Sequence, residues 1–210
     1  MTHSFHKYDT LSDMGRKVDV KRPGELLEAV IRWLLQHGFE NLSLRPLAKA
    51  VGSSPRVLLY FFGSKEQLII RVLAELRARQ RAAFGHIDVP MFATAVRTAW
   101  KTMSTPESLS LFRLYFEAYG MALHKPILYR EFLHSAVEDW LEFVARPLQR
   151  DGHTRKEARV FATVVLAGLR GFMLDLCATG DRRRVDGAIE LWATSLDTML
   201  PCGEGEHEKK

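Results

Sequence analysis

The sequence predicts an all-α fold, and three observations carry that prediction. Apolar residues recur at three- and four-residue spacing from Leu26 almost to the end, the breaks fall at Gly, Pro and Ser clusters, and no stretch alternates as a half-buried strand does. With 210 residues and 47% hydrophobic composition, the chain can bury a substantial core, either as one domain or as a small module on a larger one. The pattern favours the second arrangement: a compact N-terminal three-helix unit, a long connecting helix, and a C-terminal helical bundle.

Residues 1–22 are polar and aperiodic, with Gly15, Arg16, Lys17, Lys21 and Arg22 leading to Pro23 and Gly24, and read as a flexible basic arm. In the first helix Leu26, Leu27, Val30, Ile31, Leu34 and Leu35 make one apolar face, which His37 and Gly38 close. Ser43 suits the N-cap of a second helix carrying Leu44, Leu47, Ala48 and Val51, where Pro46 is tolerated because first-turn amides lack an intrahelical acceptor. Gly52 supplies a turn, Ser53 and Ser54 are capping residues, and Pro55 opens a short third helix that turns Leu58, Phe61 and Phe62 inward. Gly63 ends it. Ser64 caps a long fourth helix with Leu68, Ile69, Val72, Leu73 and Leu76 inside.

Beyond Phe84, breaks at Gly85 to Pro90, Ser104 to Pro106, His124 to Pro126, Asp151 to Thr154 and Thr179 to Asp181 delimit about five further helices. The expected division is an arm at 1–22, a three-helix domain at 23–68, a bundle at 69–200 and a disordered charged tail at 201–210.

Composition narrows the function classes. The two cysteines, Cys177 and Cys202, are too few for a disulfide framework or a four-ligand zinc site and suit a reducing compartment. No charged start leads into an apolar run at the N-terminus. Arg or Lys interrupts each apolar stretch before it reaches the roughly 20 residues that span a bilayer, so a cytoplasmic protein without membrane partners is expected. Up to Phe84 there are 14 Lys and Arg against 8 Asp and Glu; beyond it, 16 against 17. The excess positive charge thus belongs to the N-terminal part, where it either faces phosphate or forms a solvated basic surface.

The most specific signal is the run from Gly38 to Leu68, GFENLSLRPLAKAVGSSPRVLLYFFGSKEQL. Two short helices crossing steeply need a small residue at their contact, a glycine to turn, and an apolar lock; Ala48, Gly52 and Leu58 meet those needs for a helix-turn-helix. Gly38 and Phe39, Ser43, Tyr60 and Phe62, and Ser64 to Leu68 together resemble the DNA-binding segment of the TetR family of bacterial transcriptional regulators. Leu47 stands where the family usually has isoleucine, and Ser53 where it usually has valine.

The resemblance implies an N-terminal helix-turn-helix domain joined by the long helix to a C-terminal ligand-binding and dimerisation domain. It implies that Pro55, Arg56 and Val57 approach base edges in the major groove. Arg56 is then the leading candidate for direct readout and Arg45 the second, since a guanidinium donates two bonds to guanine. Ser43, Ser54, Tyr60 and Lys65 become candidate phosphate contacts, with packing an equal alternative for Tyr60. Such heads work in pairs on near-palindromic operators of double-stranded DNA. The last two helices offer the homodimer interface: Thr163, Ala167 and Gly171 permit close approach of a neighbour, and Val185, Ile189, Trp192, Leu196 and Met199 follow, with intramolecular core as the other use for these residues.

Between head and interface, family members enclose an effector, and the expectation here is a small apolar or aromatic one. Its candidate walls are Trp100, Phe112, Phe116, Trp140 and Met173, with Tyr115, Tyr119, His124 and His134 as polar contacts; ordinary core packing is the competing use of each aromatic. The resemblance makes repression the expected outcome of operator binding. No cofactor is expected. Two other classes remain open: a helical-bundle binding protein, and a metal-dependent oxidative enzyme using Glu131 and His134, whose Glu-x-x-His spacing needs a second such pair and further carboxylates. No Gly-rich phosphate loop or nucleophile elbow points to catalysis. A membrane-surface helix would need an exposed apolar face, whereas the faces here can pair with one another. Arg182, Arg183 and Arg184 read as a solvated helix start.

Overall fold

The computed structural model describes residues 23–40, 42–84 and 92–199; the expected arm, the break at Gly85 to Pro90 and the charged tail lie outside them. Among the described residues the chain forms nine helices and no strand: α1 Pro23–His37, α2 Leu44–Ala50, α3 Pro55–Phe62, α4 Lys65–Phe84, α5 Phe92–Met103, α6 Pro106–His124, α7 Arg130–Arg150, α8 Arg155–Thr179 and α9 Arg182–Met199.

The head closes as its sequence dictates. Leu26, Val30, Ile31 and Leu34 bury one face of α1, and α2 and α3 add Leu47, Ala48, Leu58 and Phe62 to the same cluster. Gly38, Gly52 and Gly63 hold φ of +70°, +66° and +79° at the three turns, a region that side chains with a Cβ rarely enter. Ser54 caps α3 by accepting from the Val57 amide at 3.2 Å, and Ser64 accepts from Gln67 at 3.1 Å to start α4. Ser43 sits at the N-cap of α2, but its hydroxyl makes no capping bond.

Helix α4 runs without interruption through the expected boundary after Leu68. Its Leu68, Ile69, Val72, Leu73 and Leu76 belong to the head cluster, and so do Leu114, Tyr115 and Ala118 of α6 and Phe132 and Ala136 of α7. Head and body therefore share one continuous apolar core, with α4 and α6 as the shared walls. A rigid shared core is a direct route for moving one part with the other.

In the body, α7 and α8 pack along their lengths, and α5 lies on α9. A capping box starts α8: Glu157 N–H donates to Thr154 Oγ1 at 3.3 Å, and the Thr154 amide donates back to Glu157 Oε2 at 2.9 Å. Gly168 lets α9 come close, because a Cβ there would sit 2.3 Å from the Trp192 ring. Trp100 of α5 donates its indole N–H to Asp186 of α9 at 2.7 Å, satisfying a buried polar edge. Around these lie two further clusters, one on Val96, Leu141, Phe161 and Leu196, the other on Trp100, Phe112, Met173 and Ile189.

By length and composition α8 is long and apolar enough to cross a membrane, although Arg170 interrupts its apolar run. Only 28% of its most apolar window is buried within the protomer. Val160, Val164 and Leu174 stay exposed at helical spacing beside Thr163, Ala167 and Gly171, and Leu191 of α9 is 77% exposed. The exposed start of α9 also makes contacts: Arg184 bonds Asp175 at 2.6 and 2.8 Å, and Arg182 reaches Ser104 of the α5–α6 turn.

Candidate nucleic-acid interface and interior cavity

Helix α3 is amphipathic, and the inward pull on Leu58 and Phe62 aims its first turn outward. Arg56 is exposed, Pro55 and Val57 are half-buried, and Tyr60 is 78% exposed with its ring edge-on to Phe61 at 5.1 Å. Arg45 on the first turn of α2 is exposed, as is Ser43 before it; Ser54 and Lys65 are half-buried at the starts of α3 and α4. From Ser43 to Lys65 the chain has Arg45, Lys49, Arg56 and Lys65 and no Asp or Glu. No carboxylate within that stretch offsets the positive ends of its helices, which therefore add to the basic side chains.

Polar contacts tie the head to the rest of the chain, among them the pair of Arg79 of α4 with Glu28 of α1. Glu117 of α6 accepts from the amides of Phe39 at 2.6 Å and Glu40 at 2.5 Å, in the turn that ends α1. Those amides have no acceptor within their own turn, so a carboxylate from another helix satisfies them. The contact also explains Gly38 beyond its φ: a Cβ there would meet Glu117 Oε2 at 2.7 Å. No local sequence pattern links Glu117 to a turn almost eighty positions earlier, and sequence reasoning missed it.

A cavity of about 310 Å³ opens in the body between α5, α6, α7 and α8. Of the candidate wall residues, Phe112, Tyr115 and Trp140 line it, together with Phe92, Val96, Ala99, Phe143 and Leu169, which sequence reasoning did not select. Gln80 of α4 also reaches the wall. The other candidates lie elsewhere. Trp100 and Met173 are core residues at 5% and 0% exposure, Phe116 and Tyr119 are half-buried in the packing of α6, and His124 and His134 are exposed. Glu131 is likewise exposed near His134 on the first turns of α7, and among the described residues no third His, Cys, Asp or Glu joins them.

Three arginines, Arg146, Arg150 and Arg170, complete the cavity lining, which contains no carboxylate. Arg170 is half-buried. Its guanidinium donates to the hydroxyls of Tyr119 at 3.3 Å and Tyr115 at 3.2 Å and to the carbonyl of Ala136. It also lies 5.4 Å from the Tyr119 ring centre and 6.0 Å from that of Tyr115. Burial pushes the Tyr115 phenol well above its usual range, against the pull of the Arg170 charge, so it stays protonated as a donor. The signal in the sequence was available: Arg170 is the only cation between Val160 and Thr179, a mainly apolar run of α8, and that placement demands partners.

A three-helix head with an outward basic recognition turn, carried on a helical body with an interior cavity, is the architecture of a helix-turn-helix transcriptional regulator. The family model for bacterial regulatory proteins of the tetR family matches residues 26–72. The chain is 24% identical over 186 residues to the HTH-type transcriptional repressor AcnR of Corynebacterium diphtheriae, covering 86% of this chain and 94% of that one. It is 26% identical over 169 residues to the HTH-type transcriptional regulator BetI of Rhizobium meliloti, covering 79% and 71%. Among solved structures, a transcriptional regulator from Rhodococcus superposes with a TM-score of 0.72 at 18% identity, over 85% of this chain and 99% of that one. The multidrug binding protein EbrR, solved with imidazole, superposes with a TM-score of 0.62 at 23% identity, over 90% and 96%. Residues 26–72 thus match the tetR-family model, and over most of its length the chain is similar to helix-turn-helix transcriptional regulators.

Proposed function

We propose that the protein is a dimeric cytoplasmic repressor that holds a near-palindromic operator through two heads and releases it when a small, largely apolar molecule enters the body cavity. The observation that carries this reading is the exposed first turn of α3, with Arg56 outward on a stretch free of acidic residues. Pro55, Arg56 and Val57 meet base edges there, Arg56 as a bidentate donor to guanine, with Arg45 as a second reader. Ser43, Ser54, Tyr60 and Lys65 hold phosphates. The uncapped hydroxyl of Ser43 suits that role, since it has no competing bond to the helix.

Pairing follows from the face that α8 and α9 leave open. Val160, Val164, Leu174 and Leu191 are exposed apolar residues on these two helices, and a second copy that covers them forms a four-helix interface with close approach at Ala167 and Gly171. Two heads then span two half-sites. The signal passes through α4 and α6. Phe112 and Tyr115 touch the cavity, Glu117 lies within the next turn of α6, and Gln80 puts α4 against the same space. An occupant that shifts α6 changes the height and tilt of each head, and the pair no longer fits the operator spacing.

Selection of bound sites from random duplex DNA by the full-length protein tests the reading. A recovered palindrome with half-sites one helical turn apart, or a multiple of that, is expected; indifference to every duplex at low ionic strength overturns it.

A further inference from the structure

Resting on the reading of the body cavity as the effector site, we propose that the effector is an organic anion: an apolar body, alkyl or aromatic, carrying one carboxylate or similar group that Arg170 receives. The cavity combines an apolar wall, including Phe92, Val96, Trp140 and Phe143, with three arginines and no acidic residue. A cation half-buried among apolar side chains normally has a carboxylate beside it, because desolvation of the charge is costly. Arg170 has two phenols and a carbonyl instead. Neutral acceptors orient a guanidinium without neutralising it.

Its donor capacity is also not used up. Of the five N–H groups of a guanidinium, one on Nη1 and two on Nη2 are taken by Tyr119, Tyr115 and Ala136, which leaves Nε–H and one Nη1–H without a protein acceptor among the described residues. The Tyr115 hydroxyl, which accepts from Arg170 Nη2, belongs to a residue that lines the same cavity. Towards the C-terminal end of α7, Arg146 and the exposed Arg150 stand on the same cavity. Arg146 is 74% exposed and paired only at 3.9 Å with Glu142. Charges so placed raise the local concentration of anions without binding them in a fixed geometry. A cationic ligand meets the opposite: no carboxylate in the wall, and three like charges.

Calorimetric titration of the full-length protein with two matched series tests the assignment. The first is decanoate, decan-1-ol and decyltrimethylammonium; the second is naphthalene-2-carboxylate, naphthalene-2-methanol and naphthalen-2-ylmethylammonium. In at least one series the carboxylate is expected to bind about tenfold or more tighter than the alcohol, with the ammonium compound weakest. In Arg170→Gln the carboxylate falls to the affinity of the alcohol while the alcohol is unchanged, and Arg170→Lys recovers part of the difference. Arg146→Gln with Arg150→Gln lowers the association rate and its salt dependence, not the preference. An alcohol or ammonium compound binding as tightly as its carboxylate overturns the assignment of an anion but leaves the cavity an effector site. If none of the six binds, the assignment of an anion falls; if, in addition, a ligand that releases the operator from the parent still releases it from Ala99→Leu, the cavity is not an effector site and both readings fall.

Discussion

Replacing Glu117 by alanine should loosen the turn that ends α1 without touching the head's own core. The Glu117 carboxylate accepts two backbone N–H groups, from Phe39 and Glu40, at 2.6 and 2.5 Å. Hydrogen bonds to an ionised acceptor contribute about 1.5–3 kcal/mol each when buried. Glu40 is exposed, however, so water replaces much of its bond, and only the Phe39 amide is left in a part-buried setting. The expected net loss is about 2 kcal/mol, which for a chain of this size lowers the melting temperature by about 4–8 °C. Glu117→Gln keeps one acceptor oxygen and should lose about half. Native-state hydrogen exchange followed at the Phe39 and Glu40 amides reads the contact directly: both should exchange about tenfold or more faster in Glu117→Ala, while amides of α3 stay as in the parent. Gly38→Ala adds a second, separable term. It forces a Cβ onto φ +70°, costing about 1–2 kcal/mol, and places that Cβ 2.7 Å from Glu117 Oε2. In the Glu117→Ala background the collision disappears, so Gly38→Ala should cost less there than in the parent. Unchanged exchange at both amides in Glu117→Ala, or fully additive losses in the double variant, would refute the claim that this carboxylate joins head to body.

Arg56→Ala should flatten the preference among operator variants, losing about 1–3 kcal/mol of discrimination at one base pair, whereas Lys65→Ala should weaken every sequence alike and reduce the salt slope by about one; fluorescence anisotropy across a panel of duplexes separates the two. Leu174→Asp combined with Leu191→Asp puts charges on the open face of α8 and α9 and should leave a folded monomer by light scattering at micromolar concentration, with operator affinity lost although the head is intact. Ala99→Leu projects three more carbons into the cavity and should raise stability by up to about 2 kcal/mol while blocking any occupant; a variant that melts lower and still binds ligand would contradict the cavity's position.

The head was legible because its information is local. Three turns need positive φ and carry Gly38, Gly52 and Gly63; two helices need caps and carry Ser54 and Ser64; and Leu26 to Leu34 repeat at one helical period. Each feature is set by residues within four or five positions of one another, so a reader of the string meets cause and effect together. The long fourth helix was legible in the same way: nothing local ends it near Leu68, and it continues with Val72, Leu73 and Leu76 facing the head's core. The open face of α8 was legible only in part: the small residues at 163, 167 and 171 marked a close approach, but periodicity does not distinguish a face buried within the chain from one waiting for a second copy.

The cavity resisted reading because an inward-facing aromatic says nothing about what stands opposite. Trp100 and Met173 face inward and meet packed neighbours, with Asp186 closing the indole edge of Trp100. Trp140 and Phe143 face inward as well, yet the lining they share includes Ala95 and Ala99 of α5, whose short side chains leave the volume between the helices empty. A void is thus made by the small residue and only bounded by the large one, and a search for aromatics selects the wrong member of the pair. The same reasoning gives Arg170 its meaning. A half-buried cation in the middle of the mainly apolar run from Val160 to Leu174 contradicts the local pattern, and such a contradiction persists only where something outside the pattern, here two phenols, a carbonyl and the space beside them, makes the charge tolerable.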